Sequence, residues 1–227
     1  AEHPRTDREP LLRPPARLGR VIHSGIVHID RASGTQLRAE LGLGSGSVIV
    51  GAVGNLRPAK DYPNLLAAAK IALQERSDLL FVVAGSGSKE ALDALLELRS
   101  QLGLEDAVHF LGFRDDIRAI TSGFDIFVSS SSSEGLPLAT LEAMGMGLPA
   151  VLTACGGPSE IVTSGETGVL VPPRDPGALA RAIVEMAADR ERARRIGERG
   201  RDDVRRRFSA ETMVGEYLSL YGEVLGS

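Results

Sequence analysis

Cysteine is almost missing from this sequence: Cys155 is the only one in 227 residues. That excludes an internal disulfide framework and fits a reducing compartment. No second Cys or His is spaced to complete a metal site, and no Asp-x-Asp occurs in the chain, so no dedicated divalent metal is expected. Long apolar runs are missing too. The longest, LLFVVAG and VIVGAVG, fall far short of the ~20 residues that span a bilayer. The opening AEHPRTDREPLLRPPARLG lacks the apolar core of a signal peptide. A soluble cytoplasmic protein is therefore expected. There is no large excess of charge: the net value is −4, which gives no overall pull toward nucleic acid. No internal repeat is found. What remains, 43% hydrophobic and 25% charged residues, is ordinary globular usage in a chain long enough to fold without staples.

Residues 1–20 are rich in Pro and Arg and have no period, so they read as a linker. Beyond them, short β-branched runs alternate with amphipathic stretches. Strands are expected at 47–54, 79–85, 107–112, 124–130, 149–153 and 168–171. Helices are expected at 62–76, at 88–103, from Asp115 and from Pro137. Strands apolar on both faces and separated by helices predict an α/β domain, a Rossmann-like doubly wound parallel sheet with helices on both faces. Residues 175–208 and 209–225 read as two or three helices without strands, a helical C-terminal tail. Ligands in such sheets sit beyond the carboxyl ends of the strands. The loops 54–61, 85–88 and 130–137 should open there together.

One of those loops leads into SSSSSEGLPLATLEAMGMGLPAV, which places Glu134 in a serine-rich loop and Glu142 inside the helix that follows. The loop should present free backbone N–H groups at a positive helix end, which suits an anion. Glu142 would lie about 7 Å further along the axis, at about 1.5 Å per residue. Two carboxylates close to a phosphate repel it, so they should face donors on either side of it. A nucleotide sugar has that layout, with ribose hydroxyls on one side of a diphosphate and sugar hydroxyls on the other.

EGLPLATLEAMGMGLPAV, with its Glu–seven–Glu spacing, resembles the signature of glycosyltransferase family 4, retaining enzymes of the GT-B fold. RVIHSGI, RAELGLGSGSVIVGAVGNLRPAKDYPNLLAAA, VVAGSG, VHFLGF, FDIFVSSS, GGPSEIVTSGETGVLVPP and FSAETMVGEYLSLY follow in family order, so the resemblance covers nearly the whole chain. It implies that Glu142 holds the ribose hydroxyls and Glu134 the donor-sugar hydroxyls near the anomeric centre. Backbone N–H groups of Gly135, Leu136 and Leu138 would cradle the diphosphate. Lys60 matches the family's phosphate lysine. Where the family commonly has Arg after the glycine at 54 this chain has Asn55, and Arg57 would supply the missing charge. Main-chain groups around Gly112, Phe113 and Arg114 would bracket the base, and Gly54, Gly85 and Gly87 would give the ligand room. Lys60, Arg57 and the helix end would stabilise charge developing on the leaving phosphate. Transfer would proceed with retention, without a cofactor or a metal.

Family enzymes have two Rossmann-like domains, and this chain resembles only the C-terminal, donor-binding one, here 21–208. It is expected to be a fragment whose acceptor-binding N-terminal domain is missing, binding donor but transferring little or nothing. The final helix, 209–227, with Tyr217, Leu218, Leu220, Tyr221, Val224 and Leu225 near helical spacing, would pack on that domain, or on a second copy as a dimer. Two other readings are a free-standing nucleotide-sugar-binding module and a different GT-B enzyme, an epimerase or phosphorylase.

Several features are set aside. The arginines between Arg190 and Arg207 allow weak peripheral contact with anionic lipid at the inner membrane face. They are read first as a solvated helix laced with Glu191, Glu198, Asp202 and Asp203. His109 and Cys155 read as structural, Glu160 as an anchor, and His23 and His28 as neighbours of the interdomain segment.

Overall fold

The computed structural model describes residues 20–27, 30–44 and 46–226. Apart from Arg20, the linker expected over 1–20 lies outside them, as does His28. The strands are β1 (Val48–Val53), β2 (Leu79–Ala84), β3 (Val108–Gly112), β4 (Ile126–Ser129), β5 (Ala150–Thr153) and β6 (Val169–Val171). They form one parallel sheet in the order β3-β2-β1-β4-β5-β6. That is the doubly wound Rossmann order, whose direction of winding reverses between β1 and β4.

The alternation of each strand explains the layers. Val48, Val50 and Ala52 point to one face, where α2 (Tyr62–Glu75), α3 (Lys89–Gln101) and α7 (Pro176–Ala188) cover them. Ile49, Leu80 and Val82 point to the other, against α1 (Thr35–Glu40), α4 (Ile117–Ser122), α5 (Leu138–Gly145) and α6 (Pro158–Ile161). Buried on both sides, β2 and β5 are closed along their whole length, while the edge strands β3 and β6 are partly open. Between β1 and β4, Gly51 lies under the Phe124 ring; a Cβ there would sit 2.1 Å from it. In the tail, α8 (Arg190–Arg207) joins both cores, through Ala193 and Ile196 on one side and Val204 on the other. α9 (Ala210–Leu225) has no buried residue. No helix among the described residues is long and apolar enough to cross a membrane.

The expected strands agree to within two residues. Two helix starts differ. α4 begins at Ile117 rather than Asp115: the Asp116 carbonyl accepts from Ala119 and Ile120, while its carboxylate is taken by Arg114 and Gln36. Pro137 is not in the first turn but is the N-cap of α5, extended at ψ 98°, and its carbonyl accepts from Thr140 and Leu141. The first helical N–H therefore belongs to Leu138, a donor that proline could not supply. α1 has no counterpart among the expected elements; only Leu37 of its six residues is buried.

Candidate functional site

The loops after β1 and β4 flank the reversal point of the sheet, and backbone contacts tie them to their neighbours across the whole edge. The Gly85 N–H donates to Gly112 O at 2.9 Å, and Leu56 N–H to Ser86 O at 2.9 Å. Gly54 and Gly85 touch so closely that a Cβ on Gly85, at φ +149°, would stand 1.9 Å from the Gly54 carbonyl oxygen. A Cβ on Gly54 would meet Lys60 Cε at 2.7 Å, so this glycine makes the bed on which the lysine stem lies. Gly87 likewise lies against Leu56. These glycines serve loop packing, and the opened space is occupied by the loops themselves. Tyr62, buried in the first turn of α2, donates its hydroxyl to Gly54 O at 2.9 Å. Burial, and then the nearby Glu134 charge, push its phenol well above the usual range.

The serine run is ordered on both sides. Ser130 Oγ donates to Lys60 O at 2.8 Å, and Ser132 N–H to Ala59 O at 2.8 Å, which fixes the 54–61 loop against the 130–137 loop. Lys60 Nζ then reaches Glu134 Oε1 at 2.6 Å, with the two side chains only 21% and 16% exposed. A residue expected at the diphosphate and one expected at the sugar thus pair with each other. The backbone of Glu134 is held by β5's continuation: its N–H donates to Cys155 O at 3.3 Å, and its carbonyl accepts from Gly157 at 3.0 Å.

Beyond Glu134, the N–H groups of Gly135, Leu136 and Leu138 donate to no backbone carbonyl among the described residues, and no side chain caps α5. They form an open donor set at a positive helix end. Glu142, one turn further on, lines a small cavity of about 70 Å³ with Val53, Ile117, Arg118, Thr121, Ala139 and Met146. Its half-buried carboxylate has no hydrogen bond or ion pair among the described residues, and burial alone pushes its pKa up. The neighbouring Arg118 forms no ion pair with it among the described residues; its guanidinium donates to Asp30 O at 2.8 Å.

The remaining expected residues are spread more widely. Asn55 and Arg57 are exposed. Arg57 lines a shallow apolar groove with Leu56, Pro58, Tyr62, Pro63 and Ala91 and pairs with no carboxylate among the described residues. Gly112 takes φ +69° at the end of β3, and Phe113 behind it is 75% exposed. The Arg114 side chain is held by Asp116 at 2.7 Å and Glu40 at 2.6 Å, hydrogen bonds that raise its pKa further, which leaves only its main chain for a ligand. Cys155 is half-buried and its thiol is pushed up by burial. His23 Nε2 lies 3.0 Å from Glu160 Oε2. Among the described residues no group of three or more His, Cys, Asp or Glu side chains could hold a metal.

Sequence reasoning missed the Gly156-Gly157 pair as part of the site. Gly156 takes φ +115°, and a Cβ on Gly157 would fall 1.3 Å from Gly135 O. The doublet in GGPSE is the signal, legible only once that turn is known to lie behind the Glu134 loop. Gly157→Ala is expected to displace the loop and cost about 1–3 kcal/mol of stability, as overpacking against backbone does, read by urea denaturation.

Residues 34–203 match the family described as glycosyl transferases group 1. The chain belongs to that family. The group 1 domain is 32% identical over 192 residues to the N-acetyl-alpha-D-glucosaminyl L-malate synthase of Bacillus anthracis, covering 84% of this chain and 49% of that one. It thus spans about half the length of the curated relatives it matches. Among solved structures, Anabaena Alr3699/HepE in complex with UDP and glucose superimposes with TM-score 0.82 at 28% identity, over 90% of this chain and 58% of that one. The C-terminal domain of a group 1 glycosyl transferase (LpcC) from Francisella tularensis gives 0.72 at 27% identity, over 81% of this chain and 97% of that one.

Proposed function

We propose that this group 1 domain binds the nucleoside-diphosphate sugar of a retaining glycosyltransferase, which moves the sugar to an acceptor hydroxyl. The observation that carries the reading is Glu142: a half-buried carboxylate without a partner among the described residues, lining a cavity on the helix whose first amides are open. A half-buried acceptor left unpaired favours a donor from a ligand, and ribose hydroxyls supply two. The diphosphate would lie on the amides of Gly135, Leu136 and Leu138, with Lys60 beside it. Glu134 would then face the sugar. Negative charge developing on the leaving phosphate would be met by Lys60 and the start of α5, a role that asks for no metal. Arg57, exposed and free of carboxylates, would reach this site only by turning out of its groove.

The face of α9 supports a partner domain. Val214, Tyr217, Leu218, Tyr221, Val224 and Leu225 are exposed, Leu225 to 80%, an apolar stripe of the kind that marks an interface. In this reading it receives the acceptor-binding half, and alone it favours weak self-association. The arginines of α8 are largely spent on their own helix, Arg194 on Glu191 and Glu198, Arg207 on Asp203, so a membrane role has little support.

Calorimetric titration with UDP, GDP and ADP, with and without EDTA, tests the reading. One nucleotide, UDP first because HepE holds it, is expected to bind equally well in both conditions. A folded sample that binds none of the three ends the proposal.

A further inference from the structure

The serine run has an internal order that the proposed roles leave unexplained. Its residues alternate: Ser130 and Ser132 address the carbonyls of Lys60 and Ala59, while Ser129 and Ser131 turn the other way, their hydroxyls 3.1 Å apart. Alternate facing is what an extended segment produces. Ser131 is fully buried and its Oγ donates to Glu134 Oε1 at 2.8 Å. Behind it, Thr153 closes β5, also fully buried, and its Oγ1 donates to Ser131 O at 2.5 Å. The line therefore runs from the sheet, through Thr153 and Ser131, to the carboxylate.

The chemistry of Glu134 gives that line a consequence. Its Oε1 already receives two protein donors, Lys60 Nζ at 2.6 Å and Ser131 Oγ at 2.8 Å. A carboxylate oxygen has two lone-pair directions, so Oε1 is filled. Oε2 has no donor among the described side chains. With the backbone pinned through Cys155 and Gly157 as well, the carboxylate presents one free oxygen in one orientation. Thr153 fixes the Ser131 backbone and the Ser131 hydroxyl fixes the carboxylate, so two buried side chains hold this geometry in turn.

We infer that Ser131 and Thr153 are positioning residues that orient Glu134 so that Oε2 accepts from a donor-sugar hydroxyl, which makes them determinants of sugar binding rather than of nucleotide binding. The inference rests on the function proposed above and predicts a division within the ligand. Lys60 and the amides of α5 serve the diphosphate, Glu142 the ribose, and the Thr153–Ser131–Glu134 line the sugar alone.

The test uses the bound nucleoside diphosphate and its glucose, galactose, mannose and N-acetylglucosamine conjugates, titrated into the whole chain and its variants. In the wild type one conjugate should bind more tightly than the bare nucleotide. Ser131→Ala should remove most of that gain, about tenfold for one charge-assisted hydrogen bond, and leave the bare nucleotide within twofold. Thr153→Val should act in the same direction, and Thr153→Ser, which keeps the hydroxyl, should restore the gain. On a Glu134→Gln background, Ser131→Ala should add nothing further. Equal weakening of nucleotide and conjugate would mark a purely structural role and overturn the inference. So would a sugar gain that survives Ser131→Ala, or a wild type that binds the nucleotide but gains nothing from any sugar. If the wild type binds neither nucleotide nor conjugate, the proposed function fails, and the positioning role falls with it.

Discussion

Glu142→Gln is expected to move two measurements in opposite directions: weaker nucleotide binding and a more stable unliganded chain. Loss of hydrogen bonds from two hydroxyls to a charged acceptor costs about 1.5–3 kcal/mol, or roughly 10–150-fold in affinity. In the unliganded chain the same carboxylate is half-buried, without a partner among the described residues, and its pKa is raised by burial. A carboxyl whose folded pKa lies above the unfolded one contributes stability that is full below the ordinary glutamate range. That contribution is lost as pH rises through the raised value. At neutral pH the wild type has lost it, whereas the amide has no charge to desolvate. The variant should therefore melt about 1–3 °C higher near pH 7, in line with a sub-kcal/mol gain in a domain of this size, and the difference should vanish at low pH. The ratio of wild-type to variant nucleotide affinity should climb over the same window as the carboxylate ionises, since titration of the nucleotide's own phosphate affects both alike. A variant that binds as tightly as the wild type would remove Glu142 from the ribose.

Lys60→Ala should produce the larger loss of binding. It removes a cation beside the open amides of α5 and also strips Glu134 of the partner that neutralises it at 2.6 Å. A carboxylate left unpaired and mostly buried would then stand beside the incoming diphosphate and repel it. The combined effect is expected to exceed roughly 100-fold, more than a charge-assisted hydrogen bond alone provides. The test is a double-mutant cycle. Adding Glu134→Gln to Lys60→Ala should recover part of the nucleotide affinity, because the repelling charge has gone, so the two changes should be strongly non-additive. Additive losses would mean that Lys60 and Glu134 act on the ligand independently and that their pairing has no bearing on binding. Lys60→Arg keeps the charge, but a planar fork replaces the compact ammonium that reaches Glu134, so it is expected to restore only part of the affinity.

Much of the framework was legible without coordinates, for identifiable reasons. Runs such as LLFVVA and VIVGAV are apolar at every position because a central parallel strand is covered on both faces, and both proved buried throughout or nearly so. The helices between them carry their own start signals, Pro63 in the first turn of α2 and Pro176 at the start of α7. Boundaries failed where a side chain had another use. A start from Asp115 was expected for α4, which begins at Ile117, with the Asp116 carboxylate held by Arg114, itself shared with Glu40, 74 residues earlier in the chain.

By itself the sequence determined the class of the fold, the edge of the sheet where the special residues gather, and the spacing of Glu134 and Glu142, because periodicity and turn chemistry act over a few residues. Only the tertiary structure decided which of those residues meet. It paired Lys60 with Glu134 across 74 positions and backed the Glu134 loop with Gly156 and Gly157. It also turned a low-complexity serine run into two sets of hydrogen bonds and left Glu142 without a partner. Such contacts depend on how β1, β4 and β5 lie side by side, and the register between strands joined by long crossovers leaves no local trace in the chain.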